Sequence, residues 1–262
     1  EKDKYAIQSI NANYSPKIMY TDITERDHSL LPDIDLYIAG FPCQPFSLMG
    51  KKGGTSDPRS NIMNHCIKVI QLKQPKFFIL ENVKNFKSVE GGAPFRYLLE
   101  ELKKDGNYNV YWDILNTRDY GIPQNRERIF FIGVRKDSQK SEYETPDKLP
   151  MQALDEFIED KTIHIRNSTS INLNRNLERF KHVTNNYILT TFNYASAIVD
   201  VSPTLTTGCH AMYHKTYNRN LTPRECLNLQ GFGEFKQVVS NAQMFRQAGN
   251  SMSVNVLKEL IK

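Results

Sequence analysis

The sequence contains only four cysteines in 262 residues, and no two of them form a C-x-x-C pair. Cys43, Cys66, Cys209 and Cys226 lie far apart along the chain. This spacing argues against a zinc site, a thioredoxin-type redox centre and a disulfide framework. Isolated cysteines are most simply explained by a reducing compartment, and we expect no metal.

Long apolar runs are also missing, as is a secretory leader, and the first residue is Glu1 rather than methionine. No uninterrupted apolar run is long enough to cross a bilayer, so we expect no membrane partner. The expected location is the cytoplasm if the source is bacterial. For any other source the nucleus is the main alternative, and the sequence leaves the location unknown.

Charge of one sign does not dominate: 34 basic residues against 29 acidic ones leave a net charge of +5. A mild positive excess suits a polyanionic partner without requiring one. Hydrophobic residues make up 39% of the chain, which is typical of a globular protein. The length predicts two domains, one with a large core and one smaller.

The most informative stretch is Gly-Phe-Pro-Cys-Gln-Pro-Phe-Ser at residues 40–47, which follows a short apolar run at 36–39. The run predicts a buried strand of a parallel sheet, and ligands bind beyond the carboxyl ends of such strands. Two prolines stiffen the loop around Cys43. From these residues alone, a buried structural cysteine is about as plausible as a reactive one.

Strand and helix patterns alternate through the first half of the chain. Predicted strands lie at residues 17–20, 36–39, 76–80, 110–115 and 129–134, and two intervening helices bury Met63, Cys66, Ile67 and Ile70, and Phe95, Leu98, Leu99 and Leu102. This alternation predicts an α/β fold with a doubly wound, mostly parallel sheet.

Two further motifs carry polar side chains suited to chemistry. Glu81 stands at the carboxyl end of the strand at 76–80. If residues 124–128 are extended, Gln124, Arg126 and Arg128 share one face and form a comb of donors for phosphate or a carbonyl oxygen. The alternative is an ordinary charged surface strand.

The character of the sequence changes near residue 136, where polar runs replace apolar periodicity until about residue 219. This region predicts a second, smaller domain, and it has basic and amide side chains that could contact DNA without forming a motif: Arg166, Arg175, Arg179, Lys181, Asn185 and Asn186. A helix resumes after the capping box at residues 222–225. The loop at 50–56, rich in glycine and lysine, could close over a polyanion or be a solvated linker.

Five motifs occur in the order typical of the DNA cytosine-5 methyltransferase family, which the chain resembles over nearly its whole length. They are Gly-Phe-Pro-Cys-Gln at 40–44, Glu-Asn-Val at 81–83, Gln-Asn-Arg-Glu-Arg at 124–128, Arg-Glu at 224–225 through Gln-Gly-Phe at 230–232, and Gln-Ala-Gly-Asn-Ser at 247–251. One such motif arises easily by chance, whereas five in order do not.

The resemblance implies a Rossmann-like enzyme that uses S-adenosylmethionine to methylate carbon 5 of a cytosine flipped out of double-stranded DNA, as in restriction-modification systems. By resemblance Cys43 is the nucleophile and Glu81 binds the ring nitrogen and the exocyclic amine. Arg128 binds the carbonyl oxygen of the base, and Arg126 contacts phosphate or supports the pocket.

The resemblance also assigns binding residues. Glu1 is similar to the acid that holds the cofactor ribose, and Asp22 to the one that meets the adenine amine; Ile23, Pro42, Asn250 and Ser251 complete the predicted cofactor site. The predicted DNA contacts are Gln44, Ser47, Lys51, Lys52, Arg59, Thr204 and Leu205. For Glu1 and Asp22, the residues alone favour ordinary surface carboxylates.

One departure from the family lies at the amino end, where its first strand and its Phe-x-Gly-x-Gly turn are absent from the sequence. We expect the natural protein to include this segment, either as earlier residues of the chain or as a separate subunit, because an open central strand position would expose apolar surface and backbone groups together.

The predicted catalytic domain comprises residues 1–136 and 220–262, and the predicted target-recognition domain comprises residues 137–219. Three alternatives remain open. A member of the family that methylates transfer RNA would carry a Cys-Phe-Thr stretch in the second domain, and none occurs. A non-catalytic DNA-binding subunit would have little reason to keep Cys43, Glu81 and Arg128, and a thiol hydrolase would need a histidine partner.

Overall fold

The computed structural model describes residues 1–42, 61–159, 171–183, 186–190 and 197–262. The helices are α1 (Lys4–Asn13), α2 (Asn61–Lys73), α3 (Ala93–Lys103), α4 (Ile171–Arg179), α5 (Pro223–Leu229), α6 (Asn241–Asn250) and α7 (Val254–Ile261). The strands are β1 (Leu36–Gly40), β2 (Phe77–Val83), β3 (Tyr108–Asn116), β4 (Glu127–Arg135), β5 (Ile188–Thr190), β6 (Met212–His214) and β7 (Arg219–Asn220).

The chain divides into two compact units. Unit 1 comprises Glu1–Lys2, Ile18–Leu115 and Glu127–Thr145, and unit 2 comprises Asp3–Lys17, Asn116–Arg126 and Pro146–Lys262. The predicted division between a catalytic and a recognition domain concerns function rather than compactness, and it stays a prediction.

Unit 1 is built on a four-stranded mixed sheet in the order β1-β2-β4-β3. β1 and β2 run parallel, and β2 and β4 run antiparallel. The aromatic ring of Phe78 on β2 lies over its cross-strand partner Gly133, where a β-carbon would be only 1.9 Å from the ring. The predicted α/β class is confirmed, with the pairing mixed in the described sheet.

Helices α2 and α3 cover this sheet with the faces that the sequence predicts. The residues of α2 expected to point inward are all buried: Met63, Cys66, Ile67 and Ile70. In α3, Leu98 and Leu102 are buried, and Phe95 and Leu99 pack against the same core while keeping part of their surface exposed. Apolar residues three and four positions apart therefore identified the buried faces correctly.

The strand predicted at residues 17–20 does not form. These residues have no regular pairing, and the carbonyl oxygen of Tyr20 accepts a hydrogen bond of 2.9 Å from the backbone nitrogen of Glu1. An apolar run becomes a strand only where a neighbouring strand supplies hydrogen-bond partners, and no described strand lies beside this run.

Unit 2 has its own core and a small antiparallel sheet in the order β5-β6-β7. The predicted capping box opens α5: the Glu225 amide donates to Thr222 Oγ1 at 3.0 Å, and the Thr222 amide donates to Glu225 Oε2 at 2.8 Å. Glu225 also accepts hydrogen bonds from both terminal guanidinium nitrogens of Arg219, at 2.6 and 3.0 Å. A bidentate ion pair thus lies in the core of unit 2, with both side chains almost fully buried.

Two histidines pair inside unit 1. His28 Nε2 lies 2.9 Å from His65 Nδ1, and Arg26 Nε donates to His28 Nδ1 at 3.3 Å. Since Arg26 donates to Nδ1, His28 carries its proton on Nε2 and donates it to His65. Protonating either ring places two donors face to face, so the pair requires both imidazoles to be neutral.

Two features are absent from the described residues. None of their helices combines the length and the apolar character that a bilayer crossing requires. Among the same residues, no three or more histidine, cysteine, aspartate or glutamate side chains are grouped so that they could hold a metal ion.

We expect the stability of the protein to decrease as the pH falls below about 6.5, the ordinary imidazole value. Burial lowers the pKa of both His28 and His65, helped by the positive charges of Arg26 and Lys68, while Asp27 raises the pKa of His28 and Asp22 that of His65. A lowered pKa in the folded state means that the unfolded state binds protons first on acidification, so stability present at neutral pH is lost.

The measurement is the free energy of unfolding in urea between neutral pH and about pH 5. His65→Asn should show a shallower decrease than the parent protein, whereas His210→Gln, at an exposed position in unit 2, should keep the parent slope. Parent and His65→Asn curves that run parallel would contradict this account.

Candidate active site

The carboxyl ends of β1 and β2 lie side by side in unit 1. Gly40 is in register with Glu81, and the Asn82 side-chain amide donates to the carbonyl oxygen of Phe41 at 3.1 Å. Phe41 and the exposed Pro42 are the last described residues before Cys43. The arrangement brings the backbone leading to Cys43 beside Glu81, as expected for two parallel strands that end at one edge.

Arg128 and Glu81 form an ion pair at this edge. Arg128 Nε lies 3.2 Å from Glu81 Oε1, and the two side chains are only 15% and 11% exposed. The pairing of β2 with β4 explains the contact, because Val83 is in register with Arg128. Arg128 Nη1 also donates to the carbonyl oxygen of Glu127 at 2.8 Å, which fixes the plane of the guanidinium.

Burial lowers the pKa of Arg128, and the neighbouring Glu81 acts in the opposite direction. An arginine titrates so far above neutrality that the group nevertheless stays cationic. A fixed cation and a carboxylate in a site with little water can bind a polar, planar group with far greater strength than the same pair on a wet surface.

The donor comb predicted for Gln124, Arg126 and Arg128 does not form. The Gln124 amide donates to the carbonyl of Ile122 at 2.7 Å, and the Arg126 amide donates to that of Gln124 at 3.0 Å. Each of these bonds closes a three-residue turn, so the backbone is not extended here and the alternation of faces is lost. The strand begins only at Glu127.

Arg126 lies in unit 2 with its guanidinium bound to backbone carbonyls. It donates to Leu205 O at 2.6 Å and to Ser251 O at 2.8 Å, and only 3% of the residue is exposed. Of the two expected roles, this geometry favours support of the structure over contact with a phosphate. The catalytic assignment of Arg126 stays a prediction.

The Thr204-Leu205 pair is held by the same segment. Thr204 Oγ1 donates to Asn125 O at 2.6 Å, and the Leu205 amide donates to Gln124 Oε1 at 3.1 Å. The Leu205 side chain is fully buried in the core of unit 2. In this structure Leu205 therefore packs in the core, and its predicted contact with nucleic acid stays untested.

Sequence reasoning missed the network that surrounds Gln124. Its amide nitrogen donates to Leu229 O at 2.6 Å and lies 3.3 Å from Gln230 Oε1, and Gln230 donates onward to Ala248 O at 2.8 Å. Thr117 Oγ1 and Ser253 Oγ, 2.6 Å apart, extend it. Uncharged amides within polar motifs carry no signal of burial, so no feature of the sequence distinguished these glutamines from surface residues.

Among the predicted cofactor residues of unit 1, Asp22 has a carboxylate that hydrogen bonds hold in one orientation. Asp22 Oδ1 accepts from the amide and the hydroxyl of Thr24, at 2.8 and 2.7 Å, and Oδ2 lies 3.2 Å from Lys2 Nζ. The pKa of Asp22 is lowered to about 2. The hydrogen bond from the Thr24 amide has the largest effect, the one from the Thr24 hydroxyl the next largest, and Lys2 adds to both. Asp22 is therefore ionised at neutral pH. Ile23 packs against the core beside it, and Glu1 is exposed.

In unit 2, Asn250 is exposed at the end of α6, and Ser251 caps that helix. The Ser251 hydroxyl donates to Ala248 O at 2.8 Å, while its carbonyl binds Arg126. Gly249 allows Thr206 to approach α6, since a β-carbon there would be 2.0 Å from the Thr206 carbonyl oxygen. The motif at 247–251 thus has a clear packing role.

Several predicted site residues lie outside the described part of the chain: Cys43, Gln44, Ser47, Lys51, Lys52 and Arg59. The predicted DNA-facing residues Arg166 and Asn185 also lie outside it.

Residues 1–262 match the family described as C-5 cytosine-specific DNA methylase. Type II methyltransferase M.BsuFI of Bacillus subtilis is 34% identical over 278 residues, with 98% of this chain and 64% of that protein aligned. Type II methyltransferase M.NgoBI of Neisseria gonorrhoeae is 36% identical over 269 residues, with 98% of this chain and 82% of that protein aligned. The crystal structure of the S. pombe Dnmt2 methyltransferase superposes with a TM-score of 0.71 at 22% identity, covering 100% of this chain and 88% of that one.

We predict that Arg128→Met destabilises the protein by about 3 to 5 kcal/mol, because it removes the cation 3.2 Å from the buried Glu81 carboxylate. The double variant Arg128→Met/Glu81→Leu should cost less than this, since it removes both members of the ion pair together. Urea unfolding measures both.

The matched control is Arg118→Met, which removes a more exposed arginine 3.9 Å from Asp119 and should cost about 1 kcal/mol or less. A double variant less stable than Arg128→Met would show that the loss of the cation beside Glu81 is not what destabilises the single variant.

Proposed function

Since the chain belongs to the C-5 cytosine-specific DNA methylase family, we propose that it transfers a methyl group to carbon 5 of a cytosine flipped out of a specific DNA sequence. The observation that carries the proposal is the buried Glu81–Arg128 pair, placed beside the backbone that leads to Cys43. Relatives named Type II methyltransferases support DNA modification as the setting.

Cys43 supplies the nucleophile. Carbon 5 of cytosine is too electron-poor to accept a methyl group unaided, so the thiolate of Cys43 first adds to carbon 6 and raises the electron density at carbon 5. A thiol has an ordinary pKa of about 8.5, which a basic site lowers. Once carbon 5 is methylated, a water molecule takes its proton, the electron pair left behind restores the double bond between carbons 5 and 6, and the sulfur leaves carbon 6 as the thiolate.

Glu81 and Arg128 stabilise the charge that this addition creates. Glu81 binds the ring nitrogen and accepts a hydrogen bond from the exocyclic amine, which requires a carboxyl that can hold a proton in part of the cycle. Arg128 donates to the carbonyl oxygen of the base, where negative charge also accumulates. Its contacts with Glu81 and with the Glu127 carbonyl hold it in one orientation before the base arrives.

The residues of unit 1 fit S-adenosylmethionine, the cofactor generally used by this family. Asp22 is an ionised acceptor with lone pairs left on Oδ2, as an adenine amine requires, and Ile23 offers a partly buried apolar surface. Glu1 would hold the ribose hydroxyls, with Pro42 as a further contact from unit 1. Asn250 and Ser251 of unit 2 stay predicted cofactor contacts. When bound, the cofactor supplies an electrophilic methyl group.

Arg126 acts as a positioning residue in this proposal. It fixes the carbonyl groups of Leu205 and Ser251, and so holds the Thr204-Leu205 pair of the recognition segment and the end of α6. Residues 137–219 form the target-recognition domain, and residues 1–136 with 220–262 form the catalytic domain. Gln44, Ser47, Lys51, Lys52 and Arg59 contact the DNA around the flipped base. No observation specifically favours transfer RNA as the substrate.

We predict that DNA carrying 5-fluorocytosine at the target forms a covalent adduct with the protein in the presence of the cofactor. Fluorine cannot leave carbon 5 as a proton does, so the bond between Cys43 and carbon 6 is trapped. Mass spectrometry of a protease digest locates the adduct.

Cys43→Ala should lose this adduct, and Cys43→Ser should lose methyl transfer while it still binds DNA. Cys66→Ala is the matched control, because Cys66 is buried in the core of unit 1, and it should keep the adduct. An adduct that survives in Cys43→Ala would refute the proposal.

We also predict that exchanging residues 137–219 for those of a relative changes the DNA sequence that is methylated. Base contacts specify a site, whereas phosphate contacts only position the protein. Sequencing of methylated plasmid DNA reads the outcome.

A control chimera that exchanges α3 should keep the original methylation pattern. The domain assignment is wrong if the recognition chimera stays active and its pattern does not change.

A further inference from the structure

Helix α4 of unit 2 has one face fixed in the core. Leu173 and Asn176 are buried, and the Asn176 side chain donates to Thr190 O on β5 at 2.9 Å. Leu177 and Phe180 pack on the cluster formed by Tyr187 and Leu189. These contacts set the rotation of the helix about its axis, and therefore determine which residues face outward.

The outward face carries positive charge. Arg175 and Arg179 are exposed and lie one turn apart, and Lys181 and His182 follow them, also exposed. Glu178, the one acidic residue of α4, is paired with Lys181. Among the described residues, no ion pair involves Arg175 or Arg179.

We propose that Arg175 and Arg179 bind the phosphate backbone of DNA, an inference that rests on the proposed function. Residues four apart on a helix are separated by about 6 Å along its axis, and each strand of a duplex carries one phosphate for about every 3.4 Å along the duplex axis. The two guanidinium groups therefore reach different phosphates of one strand. Arginine forms paired hydrogen bonds with phosphate oxygens, so each contact also fixes an orientation.

This surface positions the DNA and does not read its sequence. Its two arginines are held on one rigid helix, which suits the regular repeat of phosphates. The burial of the opposite face leaves both side chains exposed, and the Arg179 guanidinium lies over the ring of Phe180, 5.3 Å from its centroid. α4 thus sets how the recognition domain lies along the duplex, while side chains elsewhere distinguish the bases.

The test uses the full chain and a fluorescent duplex of mixed sequence, with affinity measured over a series of sodium chloride concentrations. The logarithm of the affinity falls linearly with the logarithm of the salt concentration, by about 0.9 for each phosphate contact. Arg175→Ala/Arg179→Ala should therefore reduce the steepness of this line by about 1.8. Arg175→Lys/Arg179→Lys should keep most of the slope, because it preserves both charges.

The matched control is Arg246→Ala/Lys258→Ala, which removes two exposed positive charges from α6 and α7 and should leave the slope unchanged. Glu178→Gln should bind the duplex more tightly than the parent, since it removes a negative charge from the same face. All variants should keep the preference of the parent protein for the DNA sequence that it methylates.

The outcomes separate this inference from the proposed function. If the parent chain binds no DNA, the proposed function and this inference fail together. If the parent binds DNA but the alanine variant keeps its slope, or loses no more slope than the control, only the phosphate-binding surface is refuted. A changed sequence preference in the alanine variant would show that α4 reads bases, which would also overturn the proposal.

Discussion

Gln124 and Arg126 place two polar side chains in the interior of unit 2, and burial requires that each of their polar groups be matched. Gln124 donates to Leu229 O and accepts from the Leu205 amide, and Arg126 donates to Leu205 O and Ser251 O. The partners lie between 79 and 125 residues further along the chain. The glutamine amide both donates and accepts, whereas a glutamate carboxylate only accepts and leucine does neither. Either residue at 124 would therefore leave a buried backbone group unsatisfied, at about 1 to 3 kcal/mol for each such group. Residues 124–126 therefore connect the segments of unit 2 that contain the predicted functional residues of that unit.

The Glu81–Arg128 pair of unit 1 meets a different requirement. A buried ion pair contributes little net stability, since removing two charges from water costs roughly as much as their attraction returns. Such a pair is better explained by what it can do when a polar ring lies against it. Two oriented charged groups, already separated from bulk water, need not reorganise as charge develops on a bound base. The position of the pair at the end of β2, where a parallel neighbour also ends, agrees with that role.

The sequence predicted the parts of the fold that depend on local patterns. The inward faces of α2 and α3, the capping box at Thr222 and the strand that carries Glu81 follow from spacing and from single residues with strong preferences. The errors arose where a distant segment decides the outcome. Residues 17–20 have no neighbouring strand among the described residues, and residues 124–126 turn because their backbone and side chains bond to groups far along the chain. The motifs also predicted the residues of the candidate site, which stays a prediction, but they did not indicate that Arg126 and Leu205 are buried together.

The net charge is a second property whose meaning depends on contacts between distant segments. A count of basic residues treats every arginine as available to a polyanion, yet Arg126, Arg128 and Arg219 are bound to carbonyls or carboxylates within their own units. Their positive charges are used in folding and in the candidate site. The arginines of α4 differ because the opposite face of that helix is fixed in the core and no carboxylate is paired with them in the described structure. Burial and pairing, rather than the total of +5, therefore separate structural cations from those that can meet a phosphate.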